Sequence, residues 1–379
     1  MKNDAVPQMN KRREFLKTTT LLAAAVAAGG SLPVLAKPDG GAAAISLEQC
    51  LSLTPEAMAD SPLVQNAWRY LRGEIDSLKN DALRALTRSI YDNPAPSVAQ
   101  RLDAVSRQQV WQELTAKGYT QQSARDFLPP APEKGKSNMP FYAAPGSGYK
   151  SHHAYPGGLV THVATNVRIT NGIVETYEKV YGYEVDRDVA LAAQLLHDLH
   201  KPYVFQWNPD GSSRTEQPLA GTGEHHILSA AELIHRKAPP ELVIAQISAH
   251  QAASTDGDEK MLADWLEAAA IIAGVDPVAY KLVTPRHRPA SARQEGFICH
   301  LGDHDYVLSV PAVATTLPIL RQIAAEDYGI SERDLDGKPF NALRNRLYST
   351  RSAMRVHETM VREGKEGVRR LMRQTVTKA

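Results

Sequence analysis

Only two cysteines, Cys50 and Cys299, occur in 379 residues, and neither stands in a CxxC pair or beside a histidine at zinc spacing. That excludes a zinc finger. They are either one disulfide of an oxidising compartment or two isolated buried thiols. Aromatic residues are few, at 6%. Alanine and leucine fill the apolar positions instead, a balance that favours helix over sheet. No charge of either sign dominates: 43 basic residues stand against 42 acidic ones. Residues 1–36 carry five of the former and two of the latter, leaving 38 against 40, a net of −2. This balance gives no grip on a nucleic-acid duplex or an anionic membrane surface. What the chain does have is 43% hydrophobic residues, enough for a substantial core, in a length between one large domain and three small ones.

Residues 11–36 read KRREFLKTTTLLAAAVAAGGSLPVLA. The basic Arg12 and Arg13 precede an apolar run, Leu21 to Ala28, and a small-residue end at Ala36. The run is well short of the ~20 residues a membrane span needs, so the segment reads as a cleavable signal peptide and not as an anchor. The twin arginine resembles the bacterial twin-arginine export signal. It implies a periplasmic protein, the twin-arginine export machinery as a partner, and no membrane attachment after cleavage.

Residues 37–46 form a small-residue linker. Helical periodicity runs through 47–127, with Leu63, Val64, Ala67, Trp68 and Leu71 at three- and four-residue spacing and further helices over 105–114 and 121–127. A Pro/Gly/Ser-rich segment closes this N-terminal region at 149. Five or six helices are expected in the chemistry-bearing part, 150–283. Residues 284–379 open with two apolar runs around Gly302-Asp303-His304-Asp305 that read as a small β-hairpin over 296–310, followed by helix. The expected fold is thus all-α, with one small hairpin.

Nine of the thirteen histidines fall between 152 and 250. His162 lies early in a helix that starts after Pro156-Gly157-Gly158. His197-Asp198 ends another, which Pro202 stops. His225 opens a third helix and His250 closes a fourth. Asp264 sits among Leu262, Ala263 and Leu266, where an unpaired carboxylate is costly to bury. Such a mixed nitrogen and oxygen set suits Fe, Mn, Co, Ni or Zn better than Ca or Mg. Adjacent helical residues point about 100° apart, so the His-Asp doublet can straddle a site, with the carboxylate shared between two ions.

The string H…HD…H…H…D, at His162, His197-Asp198, His225, His250 and Asp264, resembles the HD-domain superfamily of metal-dependent phosphohydrolases. The texts HHAYPGGLVTH (152–162) and HDLHKP (197–202) carry the likeness further. The resemblance covers roughly 150–282. It implies a helical bundle, one or two divalent transition metal ions held by those six residues, and hydrolysis of a phosphate ester. Asp198 and Lys201 are then the catalytic pair, Lys201 as a cation for the substrate phosphate. His152 and His153 are either rim contacts for substrate or plain loop residues. His200 replaces the glycine of the family's HDxGK text and puts a bulky polar group at the edge of the site. His225 is preferred over His226, which is read as facing outward or supporting the ligands. Asp276 precedes Pro277 and has a helix-capping role of its own.

The expected activity is cleavage of a small phosphomonoester or phosphodiester, with a nucleotide among the candidates, by a metal-activated hydroxide. The same ligand set would serve a di-iron oxygenase, and a non-catalytic metal-binding module is the third reading.

Overall fold

The computed structural model describes residues 43–290 and 294–378. The expected signal peptide lies outside the described residues.

Six short helices open the fold: α1 (Leu47–Ser52), α2 (Pro55–Ala59), α3 (Pro62–Ser77), α4 (Asp81–Asp92), α5 (Ser97–Gln100) and α6 (Ala104–Ala116). Their starts follow local chemistry. Ser46, Thr54, Ser61, Asn80 and Asp103 each accept a backbone N–H of the first turn, and proline takes the first position of α2 and α3. The expected helix over 121–127 is a string of turns instead.

The central bundle comprises α7 (Gly158–Tyr181), α8 (Arg187–Leu196), the single-turn α9 (Lys201–Val204), α10 (Glu224–His235), α11 (Pro240–Ser248) and α12 (Asp256–Ala273). α8 is the axis of this bundle, buried along its length from Val189 to Leu196. α7, α11 and α13 (Gln294–Gly302) pack around it. One continuous core runs from Ala67 of α3 through α7, α8, α10, α11 and α12 to Cys299 of α13. A second core joins α1 to three C-terminal helices, α14 (Tyr306–Tyr328), α15 (Lys338–Arg351) and α16 (Ala353–Arg373). A two-residue parallel pairing of β1 (Ile45–Ser46) with β4 (Val376–Thr377) ties the ends of the described chain together.

The all-α expectation holds, but the hairpin at 296–310 does not. Both apolar runs are helical, and Asp303-His304-Asp305 is the break between α13 and α14. Short apolar runs carry too little periodicity to separate strand from buried helix. The one antiparallel hairpin among the described residues is elsewhere, β2 (Pro218–Leu219) with β3 (Thr222–Gly223). The two cysteines are free and buried apart, each thiol facing a backbone carbonyl: Cys50 that of Ala342, Cys299 that of Ala190.

Candidate metal centre

The glycine doublet ahead of α7 is a steric requirement. Gly157 adopts φ +82°, and a Cβ on Gly158 would lie 1.8 Å from the His153 carbonyl oxygen. Only this bare backbone lets the 152–156 turn fold against the start of α7 and bring His152 and His153 to His162. Their rings lie 5.5 and 5.1 Å from the His162 ring, centroid to centroid.

At the end of α8 the chain turns sharply through 197–200. His197 sits within hydrogen-bond reach of the Gln194 carbonyl through Nδ1 at 2.7 Å, which leaves Nε2 facing inward. There it meets His162 Nε2 at 3.3 Å. Both nitrogens also face two carboxylates. Asp198 Oδ2 is 3.1 Å from each, and Asp303 Oδ1 is 3.2 Å from His162 and 3.3 Å from His197. Asn166, one turn beyond His162, donates to Asp303 Oδ1 at 2.7 Å and fixes that carboxylate.

These separations fit a metal ion. Bonds of about 2.1 Å at tetrahedral or right angles hold neighbouring donor atoms about 3.0–3.4 Å apart. Asp198 is fully buried, yet neither of its oxygens receives a directed hydrogen bond. Lys201 Nζ stands 2.6 Å from Oδ2 as an ion-pair contact. A buried carboxylate in that condition is costly unless a cation satisfies it. The other oxygen, Oδ1, faces a second pair of imidazoles, 3.5 Å from His225 Nε2 and 3.8 Å from His250 Nε2. Asp303 Oδ2 lies 3.5 Å from His250 Nδ1. His162, His197, Asp198 and Asp303 could therefore hold one ion, and Asp198, His225 and His250 a second.

The electrostatics agree. Burial alone would raise Asp198, but His197, Lys201 and His162 hold it well below the usual carboxylate range. Burial would raise Asp303 as well, and His197, His162 and His250 hold it low. Conversely, burial would lower His197, yet Asp198 and Asp303 together lift it to about 10. Two buried carboxylates thus favour positive charge at His197, and a divalent cation would displace any proton from the nitrogen it binds.

A cavity of about 360 Å³ opens over this cluster, lined by His152, Lys201, Glu216, His225, His226 and Asp303 among others. Burial, with the nearby His162 and Lys201, pushes His152 down to about 3, so its ring faces the cavity uncharged. Its Nδ1 meets His153 Nδ1 at 3.0 Å. Lys201 Nζ donates to the Gly146 carbonyl at 2.6 Å, which pins the ammonium at the cavity wall.

Two expectations are corrected, and for His226 one of its two alternative readings is removed. Asp264 is not at the centre: on α12 it lies to one side of the buried Leu262, Ala263 and Leu266. There it accepts from Lys260 at 2.7 Å, His287 at 2.7 Å and Tyr119 at 3.2 Å. Its place is taken by Asp303. His200 does not border the cavity either. Its ring points the other way, with Nε2 3.3 Å from the buried Glu232. His226 does not face outward: its ring stacks on His250 at 3.6 Å and 16°, and its Nδ1 meets Thr222 Oγ1 at 2.6 Å. One nitrogen from each of His225, His226 and His250 lies within 4.8 Å of the other two, so His226 is a further candidate donor beside His225 and His250.

Sequence reasoning missed Asp303, Asn166 and Glu216. Asp303 was legible only as part of a presumed turn; a helix break at Gly302 would have put its carboxylate at a helix end, as with Asp198. Asn166 carried one signal, its position a turn after His162 on the same face. Glu216 carried none.

No solved structure matches the chain. Over 215 residues it is 28% identical to the dihydroneopterin 2',3'-cyclic phosphate phosphodiesterase of Methanocaldococcus jannaschii, a match that takes in 56% of this chain. The match covers 66% of that relative, just under two thirds of its length. Residues 159–273 match the HD domain family, so His162, His197, Asp198, His225 and His250 lie within the matched stretch and Asp303 lies beyond its end.

Proposed function

We propose that the chain is a metal-dependent phosphohydrolase that cleaves a small phosphodiester, with cyclic phosphates the first class to test. The observation that carries this reading is Asp198, whose two oxygens face two separate groups of imidazoles beneath one cavity. The phosphodiesterase relative supports the reaction class. Two divalent transition metal ions, when bound, would lower the pKa of a water and clamp the charge that develops on the phosphoryl oxygens. The protein supplies the rest. Lys201 keeps one N–H beyond its contacts with Gly146 and Asp198 and offers it to a phosphoryl oxygen. His152, uncharged at the rim, presents its free ring nitrogen to the ester as a hydrogen-bonding group. The cavity lining is mostly polar, with His226, Ser147 and Ser151 beside these groups as further hydrogen-bonding partners for a phosphate ester.

The proposed location is the periplasm, reached by the twin-arginine route, on the strength of Arg12 and Arg13 ahead of a short apolar run. The activity is tested with the metal-loaded protein on nucleoside 2',3'-cyclic phosphates and on phosphomonoesters, while oxygen uptake is followed in parallel. Metal-stimulated opening of the cyclic ester supports the proposal. Oxygen consumption without ester cleavage would favour an iron oxygenase on the same ligands.

A further inference from the structure

We infer that Glu216 is a positioning residue of the metal centre, which fixes His225 in the tautomer and rotation that turn Nε2 toward Asp198. The inference rests on the two-ion reading above and extends it to a residue outside the ligand set.

The geometry is direct. His225 Nδ1 donates to Glu216 Oε2 at 2.5 Å. A neutral imidazole with its proton on Nδ1 has its lone pair on Nε2, and Nε2 is the atom 3.5 Å from Asp198 Oδ1. A carboxylate on the far nitrogen both orients a ligand imidazole and raises its basicity.

The surrounding segment anchors the backbone beside Glu216. Gln217 N donates to Glu224 Oε1 at 2.9 Å, and Glu224 N donates back to the Gln217 carbonyl at 3.1 Å. Arg214 pairs with the same Glu224 carboxylate. Glu216 is thereby clamped to the first turn of α10, which also carries His225. Gly223 lies close beneath the carboxylate: a Cβ there would stand 2.4 Å from Glu216 Oε2, so a larger residue would make the glutamate side chain shift.

The test uses the full-length protein, freed of metal and titrated with Mn²⁺, with bound metal counted by elemental analysis. E216A should weaken one of two Mn²⁺ ions by about 10- to 100-fold and leave the other in place. E216Q should weaken it less, since the amide oxygen still accepts from Nδ1–H. G223A keeps the glutamate but crowds its carboxylate, and should weaken that ion less than E216A does. Undiminished binding of both ions in E216A overturns the inference. So does equal loss of both ions together with a lower melting temperature of the metal-free protein, the signature of a structural role. A wild type that holds fewer than two ions overturns the two-ion reading itself, a result visible before any variant is made.

Discussion

Asp303 and Asp198 approach the same two histidine nitrogens, each carboxylate within 3.3 Å of both His162 Nε2 and His197 Nε2. One follows α8 and the other follows α13, which packs against α8. Asp303→Ala should therefore strip the ion held by His162 and His197. Asp264→Ala, at the carboxylate that meets Lys260 and His287, should leave metal content unchanged. Elemental analysis of the two variants separates the cases, and metal loss from Asp264→Ala alone would reverse the assignment.

Asp198 faces both imidazole groups, so its loss should empty the whole centre. Asp198→Ala is expected to bind no metal and show no activity, whereas His225→Ala should keep the ion on His162 and His197. Full occupancy in Asp198→Ala would end the two-ion reading.

Lys201 is expected to touch substrate and not metal. Lys201→Ala should retain its metal and lose turnover by roughly 10²-fold or more, the scale of a missing partner for transition-state charge. Steady-state kinetics on metal-loaded protein measure this. A variant that loses metal instead would make Lys201 a support for Asp198.

Glu232 makes folding pH-dependent away from the centre. It accepts from Ser97, the Val98 N–H and Arg236, and faces His200. Burial alone would raise its carboxyl, but His200, Arg236 and Ser97 hold it down at about 2. A depressed carboxyl contributes stability that is fully present above its unfolded value of about 4.3 and is lost as pH falls toward 2. Between pH 5 and pH 2 the wild type should lose on the order of 3 kcal/mol more than E232Q, by urea unfolding at each pH. Parallel curves for the two proteins would show that Glu232 is not the titrating group.

Export is tested on the whole precursor. Replacing both Arg12 and Arg13 with lysine should leave unprocessed protein in the cytoplasm, and the natural form should be cleaved after Ala36. Normal processing of the double variant would point to the general secretory route.

Much of this architecture could be read from residue patterns. Three- to four-residue apolar spacing marked α3 and α4, the Pro-Gly-Gly ahead of His162 marked the start of α7, and the histidines near helix ends marked the centre. What escaped depended on tertiary neighbours. Asp264 stands amid apolar residues and Asp303 in a Gly-Asp-His-Asp segment that reads as a turn, and only the packing of α12 and α13 decides which one turns inward. His200 looked placed at the edge of the site because it stands where the family text has glycine, yet its ring points toward Glu232. Residues 296–310 have no periodicity that distinguishes a strand from a helix buried on several sides.

Asp303 also has a bearing on how the molecule may be cut. It stands at the junction of α13 and α14, outside the stretch that matches the HD domain. A truncation after residue 283 would keep every ligand histidine and still lack a wall of the centre. In the intact chain, a bound ion would clasp that junction to α7 and α8, and would add RT ln(1 + [M]/Kd) to stability, about 2.7 kcal/mol at a hundredfold excess over Kd. Protease should consequently cut near 303–305 faster in chelator than in metal, so that occupancy becomes readable as a band on a gel.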